Sequence, residues 1–174
     1  MIVGLAPAAH GGNRTGRIFT GDESGNFLFR AIHAIGLSNR AESIRAGDGL
    51  ELRGALLTAA VKCAPPDNRP LPGEFGNCRE YLVHEVMLLP RPRVLVALGG
   101  LAFDSCLLAL SEAGATLPRP KPRFAHGARY TIGDDVVYVS YHPSQQNTFT
   151  GKLTQRMLRA VLRRAAGEAG AISR

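Results

Sequence analysis

The chain has 174 residues, 45% of them hydrophobic and 20% charged. That supplies one domain, residues 1–174, with material for a buried core, and excludes a disordered, fibrous or disulfide-rich secreted class. Lys and Arg number 21 against 14 Asp and Glu, and the resulting +7 favours an anionic partner, nucleic acid being the commonest.

Met1-Ile2-Val3 is a short apolar start that runs straight into a glycine-rich loop, Gly4 through Asp22. A central strand usually holds about five or six residues, so this start suggests a segment lying upstream. Gly4 and Gly11-Gly12 permit close backbone approach, and successive loop amides can cradle an anion or a carbonyl. The spacing fits neither the dinucleotide pattern G-x-G-x-x-G nor the phosphate loop that ends in G-K-[ST]. Phe27, Leu28, Ala31, Ile32 and Ile35 predict a helix over 24–36, capped by Asp22 or Ser24 and ended by Gly36. Residues 37–54 read mainly as polar connection, and 56–61 as a short buried strand broken at Pro65-Pro66.

A second helix is predicted over 73–89, burying Phe75, Cys78 or Leu82, Val86 and Leu89. Val94 to Leu98 is the clearest central strand; Gly99-Gly100 then leads into a helix over about 101–112. Residues 114–129, with three prolines and several basic side chains, read as an irregular loop. Val136 to Ser140 is another buried strand, with Tyr130-Thr131-Ile132 as a possible hairpin partner. The last helix starts near Gly151-Lys152 and repeats apolar residues at Leu153, Met157, Leu158, Val161 and Leu162. This alternation predicts a three-layer α/β/α sandwich around a mainly parallel, four-stranded sheet. No run approaches the ~20 apolar residues of a membrane span and no charged-then-apolar leader precedes the first motif, so a cytoplasmic, membrane-free location is expected.

The unusual polar residues gather in loops that follow strands, where open α/β sheets bind ligands. Phe19 is either core or a stacking surface for a planar ligand. Asp22 is either a helix cap or a holder of water, and its two oxygens allow both. His142 follows a strand directly, where a neutral imidazole can donate a hydrogen bond to charge developing on a ligand oxygen. Ser144 can hold a backbone phosphate, and Asn147 offers donor and acceptor. Arg14 and Arg17, then Arg156, Arg159, Arg163 and Arg164, cluster as candidate charges toward nucleic acid, the latter group also fitting the polar side of a terminal helix. Cys106 reads as a small core residue, whereas Cys63 and Cys78 alone are a weak metal signal.

Gly4-Leu5-Ala6-Pro7-Ala8-Ala9-His10-Gly11-Gly12-Asn13-Arg14-Thr15-Gly16 through Gly21-Asp22, with Tyr141-His142-Pro143-Ser144-Gln145-Gln146-Asn147 and Gly151-Lys152-Leu153-Thr154, resembles the family 5 (type b) uracil-DNA glycosylases. Cys63-Ala64-Pro65-Pro66-Asp67-Asn68-Arg69-Pro70 and Cys78-Arg79-Glu80-Tyr81-Leu82 match the middle of the same family. The resemblance implies removal of uracil, and of other deaminated bases such as hypoxanthine, from DNA in base excision repair by a monomeric enzyme. It assigns catalysis to Asp22, His142 and Asn147. Gly4, Ala6, Ala8, His10, Phe19, Asn68 and Ser144 are assigned to substrate. The family carries a four-cysteine [4Fe–4S] cluster away from the chemistry; Cys63 and Cys78 match its latter two ligands, and the first two belong to a segment upstream of the glycine-rich loop. Ala8 stands where relatives place a polar residue, and Phe149 where a polar residue is usual. A DNA-binding remnant without catalysis, and a nucleoside or nucleotide hydrolase using the same sheet-end pocket, are the competing readings.

Overall fold

In the computed structural model, which describes residues 1–172, apolar runs become strands and amphipathic stretches become the helices that cover them. Strand β1 spans Ile2–Gly4, β2 Leu57–Ala59, β3 Val94–Leu98, β4 Arg129–Ile132 and β5 Asp135–Ser140. They form one sheet in the order β2-β1-β3-β5-β4, with β1, β2, β3 and β5 parallel and β4 antiparallel to β5. The sheet therefore has five strands where four were expected. The fifth is the hairpin partner, too exposed on one face to read as a buried strand: only Ile132 of its four residues is buried.

The pleat assigns alternate side chains to opposite faces. Ile2, Val96, Leu98, Val136 and Tyr138 pack beneath helices α2 (Glu23–His33) and α6 (Gln155–Glu168). Val3, Leu95, Ala97, Val137 and Val139 pack beneath α3 (Pro72–Met87) and α4 (Gly100–Glu112). Both faces are covered, as a parallel sheet requires. Within α3 the buried residues are Leu82 and Val86; Phe75 and Cys78 are only partly covered, as is Leu89, which lies beyond the helix end.

Two short helices, α1 (Gly12–Thr15) and α5 (Gln145–Phe149), and a 3-10 turn at Pro66–Asn68 lie in the loops where periodicity has too few residues to register. The 37–54 connection is closed on itself by an antiparallel bridge between Ser38 and Leu52. Among the described residues no helix is long and apolar enough to cross a membrane.

Candidate active site

Strand β3 lies between β1 and β5 in the sheet. The residue that follows it is Gly99, at φ +98°, which sends the chain into α4 without a side chain above the sheet edge. A Cβ there would come within 3.3 Å of the His142 Cβ. The loops after β1 and β5 thus face each other across the end of β3. Between them opens a cleft of about 650 Å³.

Eight of the ten residues assigned by resemblance to catalysis or substrate line this cleft: Ala6, Ala8, His10, Phe19, Asp22, Asn68, His142 and Ser144. The other two sit behind it. Gly4 underlies the Phe19 ring, since a Cβ at Gly4 would lie 2.6 Å from Phe19 Cζ. Asn147 turns inward, its Nδ2 donating to the His142 carbonyl at 2.8 Å, so it braces the loop that carries the imidazole. Leu5, Glu23, Ser24, Gln145 and Gln146 complete the lining. Of these, Ser24 was read only as a possible helix cap, and the other four each adjoin a residue singled out from the sequence.

Phe19 is both core and wall. It is 6% exposed, adopts φ +54°, and its ring centroid stands 6.2 Å from that of His142 at a 33° tilt. The left-handed backbone is unusual for an aromatic residue and turns the chain sharply before α2. Its carbonyl presses on Gly25, where a Cβ would approach to 2.1 Å. Asp22 caps α2 as one alternative held: its Oδ1 accepts from Gly25 N at 2.7 Å. The Oδ2 rests against Gly11, where a Cβ would stand 2.1 Å away, so only glycine leaves that carboxylate its place. Oδ1 serves the helix, and Oδ2 has no hydrogen-bond partner among the described residues.

Burial pushes the His142 imidazole down to about 4, so the ring is neutral near pH 7. Among the described residues neither ring nitrogen is hydrogen-bonded to protein, which leaves one donor and one acceptor for a ligand. The backbone behind it is tied by His126, whose Nδ1 accepts from Tyr141 N at 3.1 Å and whose ring stacks on Tyr141 at 4.9 Å and 7°. Lys152 lies over the same Tyr141 ring at 4.8 Å. Asn68, at φ +55° on the 3-10 turn, presents an exposed amide to the opposite wall.

Arg17 departs from the expectation of a free charge. Its guanidinium is bonded to Thr20, Ser43 and Asp48 and faces the protein. Cys106 is fully buried in the core, and burial pushes its thiol up to about 12. Cys63 is exposed and Cys78 partly covered, its sulfur accepting from Lys62 N at 3.3 Å. Among the described residues no group of three or more His, Cys, Asp or Glu could hold a metal. These two thiols alone do not fit a four-ligand iron–sulfur cluster.

The model of the uracil DNA glycosylase superfamily matches residues 1–166. The chain is 51% identical over 172 residues to the type-5 uracil-DNA glycosylase of Pyrobaculum aerophilum, covering 99% of this chain and 73% of that protein. It is 47% identical to the type-5 enzyme of Thermus thermophilus, covering 98% and 75%. Identity to the type-5 enzyme of Mycobacterium tuberculosis is 49%, covering 98% of this chain and 63%, just under two thirds, of the relative.

Proposed function

The chain belongs to the uracil DNA glycosylase superfamily, and on that premise we propose that it hydrolyses the N-glycosidic bond of uracil in DNA. Other deaminated bases are the secondary substrates of this reading. The observation that carries it is the meeting of Phe19, Asp22 and a neutral His142 around one cleft.

A glycosidic bond inside the stack is out of reach, so the damaged nucleotide turns out of the duplex, most cheaply where it is mispaired with guanine. Its ring stacks on Phe19, and the loop amides near Ala6 and Ala8 and the Asn68 amide face its polar edge. As the bond between base and sugar breaks, its electron pair passes to the base and positive charge develops on the sugar. The His142 N–H donates to the base oxygen that takes up the negative charge. A neutral donor in a half-buried site suits this task, because its dipole is already oriented when the charge appears. The Oδ2 of Asp22 holds the water whose oxygen adds to the sugar carbon, and its negative charge offsets the sugar cation; the water's proton ends on the departing base or in solvent. Asn147 acts through the His142 carbonyl, and Ser144 lies at the rim toward the sugar-phosphate backbone. In this reading Phe149, 78% exposed at the end of α5, enters the gap that the base leaves in the stack. DNA is the partner of this chemistry, and the chain acts on it as a monomer in the cytoplasm.

The test uses a duplex oligonucleotide carrying one uracil opposite guanine, with strand breakage at the abasic site as readout. The wild-type chain is expected to release uracil, and His142→Ala to lower the single-turnover rate about 10²–10³-fold, the loss typical of one oxyanion donor. An unchanged rate in His142→Ala removes the assigned role. Hydrolysis of free deoxyuridine with none of DNA moves the reading to a nucleoside hydrolase.

A further inference from the structure

The segment that carries Phe19 and Asp22 into the cleft, residues 17–22, belongs to no helix or strand. Something else must fix it, because a left-handed Phe19 is not a conformation the local chain prefers. The fixing comes from a loop 26 to 31 positions away. Arg17 Nε donates to Thr20 Oγ1 at 3.0 Å, and its Nη2 donates to Ser43 Oγ at 2.9 Å and to Asp48 Oδ2 at 2.7 Å. Thr20 and Ser43, 0% and 1% exposed, share a 2.6 Å hydroxyl contact, and Gly21 N donates to Ser43 O at 3.0 Å. Asp48 in turn holds its own loop, accepting from the amides of Ile44, Arg45 and Leu50. The Nε and Nη2 groups of Arg17 are thus both directed at acceptors within the protein.

We propose that Arg17 and Asp48 form a clamp that positions Phe19 and Asp22 for the reaction, so that the 37–54 connection is a buttress of the active site. Neither residue touches substrate; both are positioning residues. The planar guanidinium suits the task because one rigid fork reaches Thr20, Ser43 and Asp48 together, which an ammonium on a flexible stem does not do. A misplacement of about 1 Å at a reacting group can cost roughly 10²-fold in rate. The inference rests on the glycosylase reading for its consequence, but its geometry can be tested without it.

Three variants, Asp48→Asn, Arg17→Lys and Ser43→Ala, are measured in the full chain. The first readout is hydrogen exchange at the amides of Gly21 and Gly25, which bond to Ser43 O and Asp22 Oδ1. Loosening the clamp is expected to speed exchange there at least tenfold while the amides of β3 stay protected. The second readout separates the single-turnover cleavage rate from DNA affinity: the rate falls at least tenfold while Kd stays within threefold. A Kd that weakens with the rate unchanged would make Arg17 a phosphate contact and overturn the clamp. A lowered Tm with exchange at Gly25 and the rate both unchanged overturns it too, leaving the pair a plain structural contact. Ser43→Ala keeps both charges, so it answers the question if either charge variant fails to fold. If the wild type releases no uracil, the glycosylase reading falls, and exchange at Gly25 alone decides the clamp.

Discussion

His142 shows how one side chain's surroundings set the chemistry available to it. With the imidazole pushed to about 4 by burial, its neutral form persists well below the usual range of a free histidine. The single-turnover rate should therefore stay level from pH 7 down to about 5 and fall only as pH approaches 4. An acid limb centred near 6.5 would mean that the ring is solvated and that the dry donor assigned to it does not exist. Phe19, Asp22 and His142 were legible in the sequence because each stands in a loop with a strand on one side and a cap or turn on the other. Asn147 was expected in the chemistry but turns to the His142 carbonyl behind the cleft, since a side-chain amide can face ligand or backbone equally well. Arg17 read as charge for DNA because nothing local reveals an acid 31 positions away. His126 escaped for the same reason: its partner, Tyr141 N, lies 15 positions away, just past the end of β5.

At the scale of elements, two helices begin at polar caps, and the last of them starts at Gln155 rather than near Gly151-Lys152 as expected. Asp22 caps α2, and Thr154 caps α6, its Oγ1 accepting from Met157 N at 3.2 Å. Thr154 has no place in the proposed chemistry, so it isolates the value of a cap. Thr154→Ala should cost about 1 kcal/mol and lower Tm by about 2–4 °C for a chain of this size. Calorimetry on the variant checks it, with cleavage activity expected to hold; a Tm unchanged within error would show that packing against α2 and the sheet carries α6 without its cap. Asp22 is different, since the same carboxylate closes a helix and faces the cleft, and replacing it disturbs both. The short helices α1 and α5 were hidden from the sequence because one turn has no periodicity. They are held instead by loop contacts such as Leu153 N to Asn147 O at 2.9 Å.

Across the whole molecule, the cleft sits where strand order reverses: the chain leaves β1 for β2 on one side and crosses to β3 on the other. The far end of the sheet carries buried charge. Arg93 and Asp135, 4% and 5% exposed at their side chains, pair at 3.1 Å, yet the Arg93 Nε has no partner among the described residues. Beside them the Met1 amine donates to Val94 O at 2.8 Å, and burial lowers it to about 6. The unfolded amine, with its ordinary value near 8, binds more protons than the folded one between pH 6 and 8. Stability of the chain beginning at Met1 should therefore rise across that window, by about 3 kcal/mol at most. His142 acts in the same direction between about 4 and 6.5. Denaturant unfolding at pH 6 and 8 measures the effect, and acetylating the amine should flatten it; an equal slope with the amine blocked would assign the pH dependence elsewhere.

By itself the sequence determined the alternation of strands and helices, the layered class and the two loops that meet over the sheet, because hydrophobic period and turn residues are local properties. Tertiary structure alone decided the fifth strand, the inward turn of Asn147 and Arg17, and the buttress supplied by Ser43 and Asp48. Those outcomes depend on which polar groups become neighbours once the chain has closed, and a buried donor takes the acceptor that packing brings to it, however far away that acceptor lies in sequence.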